Sequence, residues 1–323
     1  MAGIGHLIAT LGKNLLFFLL CVVVFLVSLN VGRAIGVWKI TDEKLGDLKV
    51  KWNNGTGIKI SDVSYGGKPE NKYDLYLPSS ASKNQYALIF HIHGGGFNSG
   101  DKSEGEILCK YFVSKGFVAA TTNYSLMDDT HSANVNTMYG ETVAALTNVL
   151  DNCKNRGYPV SEMAVTGESA GGCLAMLLAF RYADECPVPI RFIIQESGPV
   201  SFEPSLWAST TKEGEIGFIN SMAGGNFTLE DYNTPNYLDA INEISPISYV
   251  NENTIPILMA YGANDKIVPP QIKLPFIEKL DGYRTDYQYI EFPNSGHGLL
   301  GDSEKSKEYH AAMMEFAEKY FTH

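Results

Sequence analysis

The chain has 323 residues, 45% hydrophobic and 19% charged, which supplies a large apolar core and excludes a disordered chain. Lys and Arg number 25 against 36 Asp and Glu, so the formal charge is −11, and no nucleic-acid partner is expected because a phosphate backbone requires a net basic face. Five cysteines are too few for a disulfide scaffold at this length, and 31 glycines without a period exclude a collagen-like chain.

The first element is apolar. Leu15 to Leu29 reads LLFFLLCVVVFLVSL, and 19 uncharged residues separate Lys13 from Arg33. That length suits a single spanning helix, which takes about 17–25 residues. A cleaved signal peptide is the rival, with Gly32-Arg33-Ala34 as a weak small-x-small site. Residues 1–35 are therefore expected to be a membrane anchor or signal peptide, with the remainder extracytoplasmic, either membrane-anchored or secreted. Against that orientation, basic residues are denser after the segment than before it, at Arg33, Lys39, Lys44, Lys49 and Lys51. Residues 36–60 read as a mixed-charge connector, and 61–323 as one catalytic domain.

Strand-like and helix-like segments then alternate. Ile58–Ser64 and Tyr73–Leu77 flank a Gly-Gly-Lys-Pro turn and suit an antiparallel pair. Ala87–His93 is a mostly apolar run, as buried parallel strands show, and Phe117–Tyr124, Met163–Thr166, Ile190–Gln195, Ile257–Tyr261 and Tyr287–Phe292 are similar. Helical patterns lie between them at Glu104–Lys115, Met138–Arg156, Ala170–Tyr182, Ile272–Leu280 and Lys305–Phe321. The expected class is α/β: a mostly parallel central sheet covered by helices on both faces. Residues 201–250, after the sixth strand, break this rhythm and carry Trp207, Phe218, Met222, Phe227, Tyr232 and Tyr237. A stretch that long is expected to be a lid-like insert or a plain helical excursion. Cys109, Cys153, Cys173 and Cys186 admit two disulfides or four thiols, and their spacing suggests neither zinc nor a redox pair. Asn54, Asn123 and Asn226 begin N-x-S/T triplets.

Three places carry chemistry. Gly167-Glu168-Ser169-Ala170-Gly171 sits between a strand and a helix, where a sharp turn would expose the serine hydroxyl at the sheet edge. An ordinary Gly-rich turn, or a phosphate site at the helix N-terminus, is the competing reading. His93-Gly94-Gly95-Gly96-Phe97 ends another strand, and its glycines leave N–H groups free to face a developing oxyanion. His91 and His93 share a strand face, but no Cys, carboxylate or third His lies nearby in sequence to complete a metal site. Asp265 and His297 follow the last two predicted strands, so a parallel sheet would deliver both to the edge that carries Ser169. A serine needs a base, a neutral histidine supplies one near neutral pH, and a carboxylate fixes the histidine tautomer.

Together GESAG, HGGGF, GANDKIVP and SGHG resemble an α/β-hydrolase of the carboxylesterase type, close to the small bacterial and hormone-sensitive-lipase-like esterases. The resemblance runs from about Asp62 to the C-terminus. It implies Ser169 as nucleophile, Asp265 as acid and His297 as base. It also implies an oxyanion hole of Gly95, Gly96 and Ala170, with His93 and Gly94 shaping the loop. Two features depart from the lipase-like group. Glu168 stands where that group usually has Asp, and Asn123-Tyr124-Ser125-Leu126 stands where it has Tyr-Arg-Leu-Ala-Pro-Glu. The expected activity is hydrolysis of carboxylic esters, short-chain or of acetyl or feruloyl type, on a small-molecule or polymer-linked substrate, through an acyl-enzyme. A small amidase or peptidase of the same fold, and a non-catalytic binding protein on this scaffold, are the alternatives. No metal or organic cofactor is implied.

Overall fold

The computed structural model describes residues 44–128, 133–207 and 211–322. The apolar segment at 15–29, expected to be an anchor or signal, lies outside the described residues. No described helix is long and apolar enough to cross a membrane.

The described strands are β1 (Gly57–Ser64), β2 (Lys72–Pro78), β3 (Tyr86–Ile92), β4 (Val118–Thr122), β5 (Val160–Glu168), β6 (Ile190–Glu196), β7 (Ile257–Gly262) and β8 (Tyr287–Phe292). They form one sheet in the order β1-β2-β4-β3-β5-β6-β7-β8. β2 runs antiparallel to both β1 and β4, and every pair from β4 to β8 is parallel. All positions of β3, β4 and β7 are buried. That is why YALIFHI and ILMAYG lack an in–out alternation: both sheet faces are covered, so both sets of side chains must be apolar.

The helices are α1 (Glu106–Ser114), α2 (Val135–Asn155), α3 (Ala170–Arg181), α4 (Lys212–Ala223), α5 (Pro235–Ile244), α6 (Lys273–Tyr283) and α7 (Ser303–Tyr320). Cys109 and Phe112 of α1 and Tyr309, Met313 and Phe316 of α7 share one apolar cluster with Ile89 and Phe192. Buried residues of α2 to α6 share the other with Leu88 and Phe90. Neighbouring positions of β3 thus divide between two cores, one on each face. Ala170 to Ala179 are buried without a break, so α3 is apolar on every side. An unbroken apolar helix belongs at the middle of a fold, and this one starts at Ser169.

Residues 201–250 contain the paired helices α4 and α5. Thr211 caps α4, its side chain accepting from Gly214 N at 3.1 Å, and Gly224 ends it in the left-handed region at φ 78°. Pro235 opens α5, where its missing N–H costs nothing. The connector expected at 36–60 ends earlier than its composition suggests. β1 begins at Gly57, Leu48 is 1% exposed, Trp52 sets its ring edge on Tyr76 at 6.1 Å, and Asp47 hydrogen-bonds His310 at 2.7 Å. Two isolated apolar anchors in a mixed-charge stretch leave no periodic signal, yet they tie residues 47–60 to the body.

Candidate active site

Ser169 occupies a turn between β5 and α3 with φ 53° and ψ −122°, a region that costs a non-glycine residue about 1–3 kcal/mol. The strain is held in place. Ser169 N donates to Glu196 O at 2.7 Å, and Cys173 N donates to Ser169 O at 3.1 Å. The glycines on either side permit the turn by close approach. An ideal Cβ at Gly171 would lie 2.0 Å from Ile92 O and 2.4 Å from His93 O. One at Gly167 would lie 2.3 Å from Gly171 O. Backbone therefore meets backbone where any other residue would push α3 off the sheet.

Asp265 and His297 leave the C-terminal ends of β7 and β8, on the same sheet edge as Ser169. His297 Nε2 lies 2.7 Å from Ser169 Oγ, and His297 Nδ1 lies 2.8 Å from Asp265 Oδ2. The second Asp265 oxygen accepts from Ile267 N at 2.8 Å and Val268 N at 3.0 Å. The Asp265 side chain is fully buried, whereas the imidazole keeps 19% of its surface exposed. Two further bonds lace the loops together: Asn264 N donates to Ser295 O at 2.9 Å, and Asn264 Nδ2 to Pro293 O at 3.1 Å. The acid, the imidazole and the hydroxyl form one continuous chain from a buried carboxylate to a strained surface turn. Residues separated by 128 and 32 positions in sequence meet there.

The glycine-rich loop lies against this chain. A Cβ at Gly94 would sit 2.9 Å from Glu168 O and 3.4 Å from the Ser169 Cβ. Gly95, Gly96 and Phe97 follow at φ 104°, 60° and 67°, three left-handed residues in succession. The Gly95 carbonyl is turned back into the loop, accepting from Ser99 N at 3.0 Å and Ser99 Oγ at 2.7 Å. Ala170, the first residue of α3, adjoins Ser169 directly. His93 Nδ1 lies 2.8 Å from Gly94 O. Its ring also stacks on Tyr124, with centroids 4.4 Å apart and planes 10° off parallel. Burial pushes its pKa below the ordinary histidine value.

Sequence reasoning missed several supports. Tyr124 donates its hydroxyl to His93 O at 2.9 Å and Gly94 O at 3.2 Å, so the departing Asn-Tyr-Ser-Leu stretch still holds the glycine loop. Asp302 accepts from Asn294 N, Asn294 Nδ2 and Ser295 Oγ at 3.0, 2.8 and 2.6 Å, and so fixes the turn that precedes His297. No local pattern announces either role, because each depends on residues from a different element. His91 and His93 do not act as a pair. β3 ends at Ile92, so the two-residue period stops before His93. His91 lies against Gly105 and Thr121, where burial lowers its pKa to about 4. Cys109, Cys153, Cys173 and Cys186 are free thiols.

Among the insert residues, Phe202, Trp207 and Phe218 form an aromatic cluster, with Phe202 and Trp207 stacked at 6.0 Å. Phe97 of the glycine loop joins it through Phe202, also at 6.0 Å. The insert thus packs directly on the loop beside Ser169.

The BD-FAE family matches residues 73–280, a stretch that holds the glycine loop, the Ser169 turn and Asp265, while His297 lies beyond it. The chain belongs to the BD-FAE family. This BD-FAE chain is 23% identical over 264 residues to esterase LipC of Mycobacterium tuberculosis, covering 73% of this chain and 59% of that one. It is 25% identical over 253 residues to esterase LipQ of the same organism, covering 75% and 57%. It therefore spans a little under three fifths of the length of these relatives. Among solved structures, esterase B of Lactobacillus rhamnosis superposes with a TM-score of 0.65 at 16% identity, covering 91% of this chain and 94% of that one. That likeness identifies the α/β-hydrolase fold.

Proposed function

We propose that this chain hydrolyses carboxylic esters through an acyl-enzyme formed on Ser169. The observation that carries the reading is the hydrogen-bonded run Ser169–His297–Asp265, at 2.7 and 2.8 Å. Asp265 accepts the Nδ1 proton of His297, which leaves Nε2 unprotonated and facing the hydroxyl. Nε2 takes the Ser169 proton as Oγ attacks the ester carbonyl, then returns it to the leaving alcohol. Water repeats the sequence on the acyl-enzyme and releases the acid. The charge that develops on the carbonyl oxygen falls to the N–H groups of Gly95, Gly96 and Ala170, with His93 and Gly94 shaping the loop. The Ile267 and Val268 N–H groups hold Asp265 in place throughout. The esterase names of the relatives support the same reading.

For the substrate, we propose esters of small acids, acetyl or feruloyl groups included, on a small molecule or a polymer. The aromatic cluster of Phe97, Phe202, Trp207 and Phe218 supports a flat, apolar wall beside the reacting carbon. Residues 201–250 would then act as a cap over the site.

The test is turnover of p-nitrophenyl acetate, butyrate and octanoate, with a p-nitroanilide control, by wild-type protein and Ser169→Ala. The expected result is wild-type activity that falls with acyl length and is lost about 10⁴-fold or more in the variant. Full activity in Ser169→Ala would remove the nucleophile assignment. Faster anilide than ester turnover would turn the reading toward an amidase.

A further inference from the structure

Burying a large aliphatic side chain is favourable, and a single exposed one is ordinary on any surface, so position decides whether it carries information. Seven large apolar side chains are exposed among the described residues, and two of them stand within three positions of Asp265 or His297. Ile267 follows Asp265 by two residues and is 64% exposed, more than any of the others. Leu300 follows His297 by three and is 37% exposed. Their neighbours Val268 and Leu299 are buried, so each loop turns one apolar residue into the protein and the adjacent one toward solvent. Neither Ile267 nor Leu300 belongs to either apolar cluster of the core.

Backbone bonds hold both residues beside the imidazole. Ile267 N donates to Asp265 Oδ1 at 2.8 Å, and the other oxygen of that carboxylate lies 2.8 Å from His297 Nδ1. One carboxylate therefore separates Ile267 from the imidazole. Leu299 adopts φ 55°, a left-handed angle that a bulky side chain rarely takes, and its N–H donates to Gly296 O at 3.1 Å. This turn brings Leu300 back over Gly298, the residue next to His297. Leu300 Cδ1 lies 3.3 Å from where a Gly298 Cβ would stand.

The reaction gives this apolar rim a direction. At the tetrahedral carbon, Ser169 Oγ, the oxyanion, the acyl substituent and the alcohol oxygen take four different corners. The oxyanion faces Gly95, Gly96 and Ala170. As the carbon–oxygen bond breaks, the alcohol oxygen takes the proton from His297 Nε2, so it must come within about 2.6–3.2 Å of that nitrogen. The alcohol therefore leaves along the imidazole, and the two loops that border the imidazole are those that carry Ile267 and Leu300. We infer that Ile267 and Leu300 are specificity-determining residues that bind the alcohol half of the ester, and that this half is an apolar aliphatic or aromatic alcohol. The inference rests on the ester-hydrolase reading and narrows it on the alcohol side. A sugar ring carries hydroxyls that two aliphatic side chains cannot satisfy, whereas an alkyl chain gains by covering them.

The experiment compares kcat/KM of the full chain on two ester series, followed by acid release at constant pH. One series varies the alcohol on a fixed acetyl group, from methyl to hexyl acetate. The other varies the acyl group on a fixed ethyl alcohol, from ethyl acetate to ethyl hexanoate. The proteins are wild type, Ile267→Ser, Leu300→Ser and Ile267→Leu. Full burial of a methylene is worth about fourfold, and partial cover on an open rim about twofold. Wild type should therefore favour hexyl over methyl acetate by on the order of tenfold or more. Each serine variant should cut that preference about three- to fivefold, and Ile267→Leu should retain it, with the acyl-series ratio unmoved in all three. A displaced Asp265 or a weakened fold lowers the rates on both members of a series together and leaves the ratio in place. A wild type without a preference for hexyl acetate would overturn the inference, as would serine variants whose alcohol ratio stays put or whose acyl ratio falls instead. Faster turnover of peracetylated xylose than of hexyl acetate would also overturn it. A wild type without Ser169-dependent turnover of either series would instead sink the ester-hydrolase reading, and this inference with it.

Discussion

Gly171→Ala tests whether the elbow is held by backbone packing. The added Cβ would lie 2.0 Å from Ile92 O and 2.4 Å from His93 O, with the His93 carbonyl carbon at 2.7 Å. Ordinary contact begins at 3.4 Å, so α3 and the end of β3 must part by about 1.4 Å. Neither side yields cheaply, because the opposing atoms are main chain at the end of a fully buried strand. Overpacking of this kind costs about 1–3 kcal/mol. At the upper end, a domain of this size melts on the order of 6–12 °C lower. The displacement has a second effect. Ile92 and His93 lead into the glycine loop, and α3 begins at Ser169, so the two halves of the site move apart. A misplacement of about 1 Å can cost about 100-fold in rate. Thermal unfolding followed by circular dichroism, together with kcat/KM on p-nitrophenyl acetate, measures both. A Gly171→Ala protein with wild-type melting temperature and rate would refute the close-approach argument.

Two further outcomes follow from the same geometry. Asp265→Asn turns an N–H toward His297 Nδ1 and reverses the tautomer, so kcat should fall about 10³- to 10⁴-fold with little change in melting temperature; an unchanged kcat would exclude the acid role. Asp101 gives a stability effect with a defined sign. Burial alone would raise its pKa, but hydrogen bonds from Ser103 and Asn123 and the charge of Lys102 hold it at about 2, against an ordinary 3.8. A depressed carboxylate stabilises the fold above its ordinary value and loses that contribution as pH falls from 3.8 toward 2. Discounted for its exposure, the contribution is about 1 kcal/mol. Urea unfolding should show Asp101→Asn weaker than wild type by that amount at pH 7, with the gap narrowing toward pH 3. A gap that widens on acidification would reverse the sign and refute the argument.

Much of the site is legible in the sequence because its requirements are local. Gly167 and Gly171 flank Ser169 since only glycine fits where α3 meets the end of β3, and that demand is written within five residues. The glycine loop is legible for the same reason, as Gly95 and Gly96 adopt backbone angles that side chains disfavour. The buried parallel strands announce themselves through unbroken apolar runs, and their C-terminal ends mark where Asp265 and His297 emerge. The supports were hidden. Tyr124 reaches His93 and Gly94 across 31 and 30 positions, and nothing near Tyr124 shows where its hydroxyl goes. Leu48 and Trp52 looked like connector because single anchors have no period.

The sequence by itself determined the α/β class, the order of strands and helices, the sharp serine turn and the chain order of Ser169, Asp265 and His297. These follow from steric limits and burial patterns that act over a few residues. Only the tertiary structure decided that His297 stands 2.7 Å from Ser169 and that the insert's aromatics pack on the glycine loop. Those depend on how distant segments share one sheet edge, and a side chain's charge, burial and partners are set there by neighbours that sequence proximity does not name.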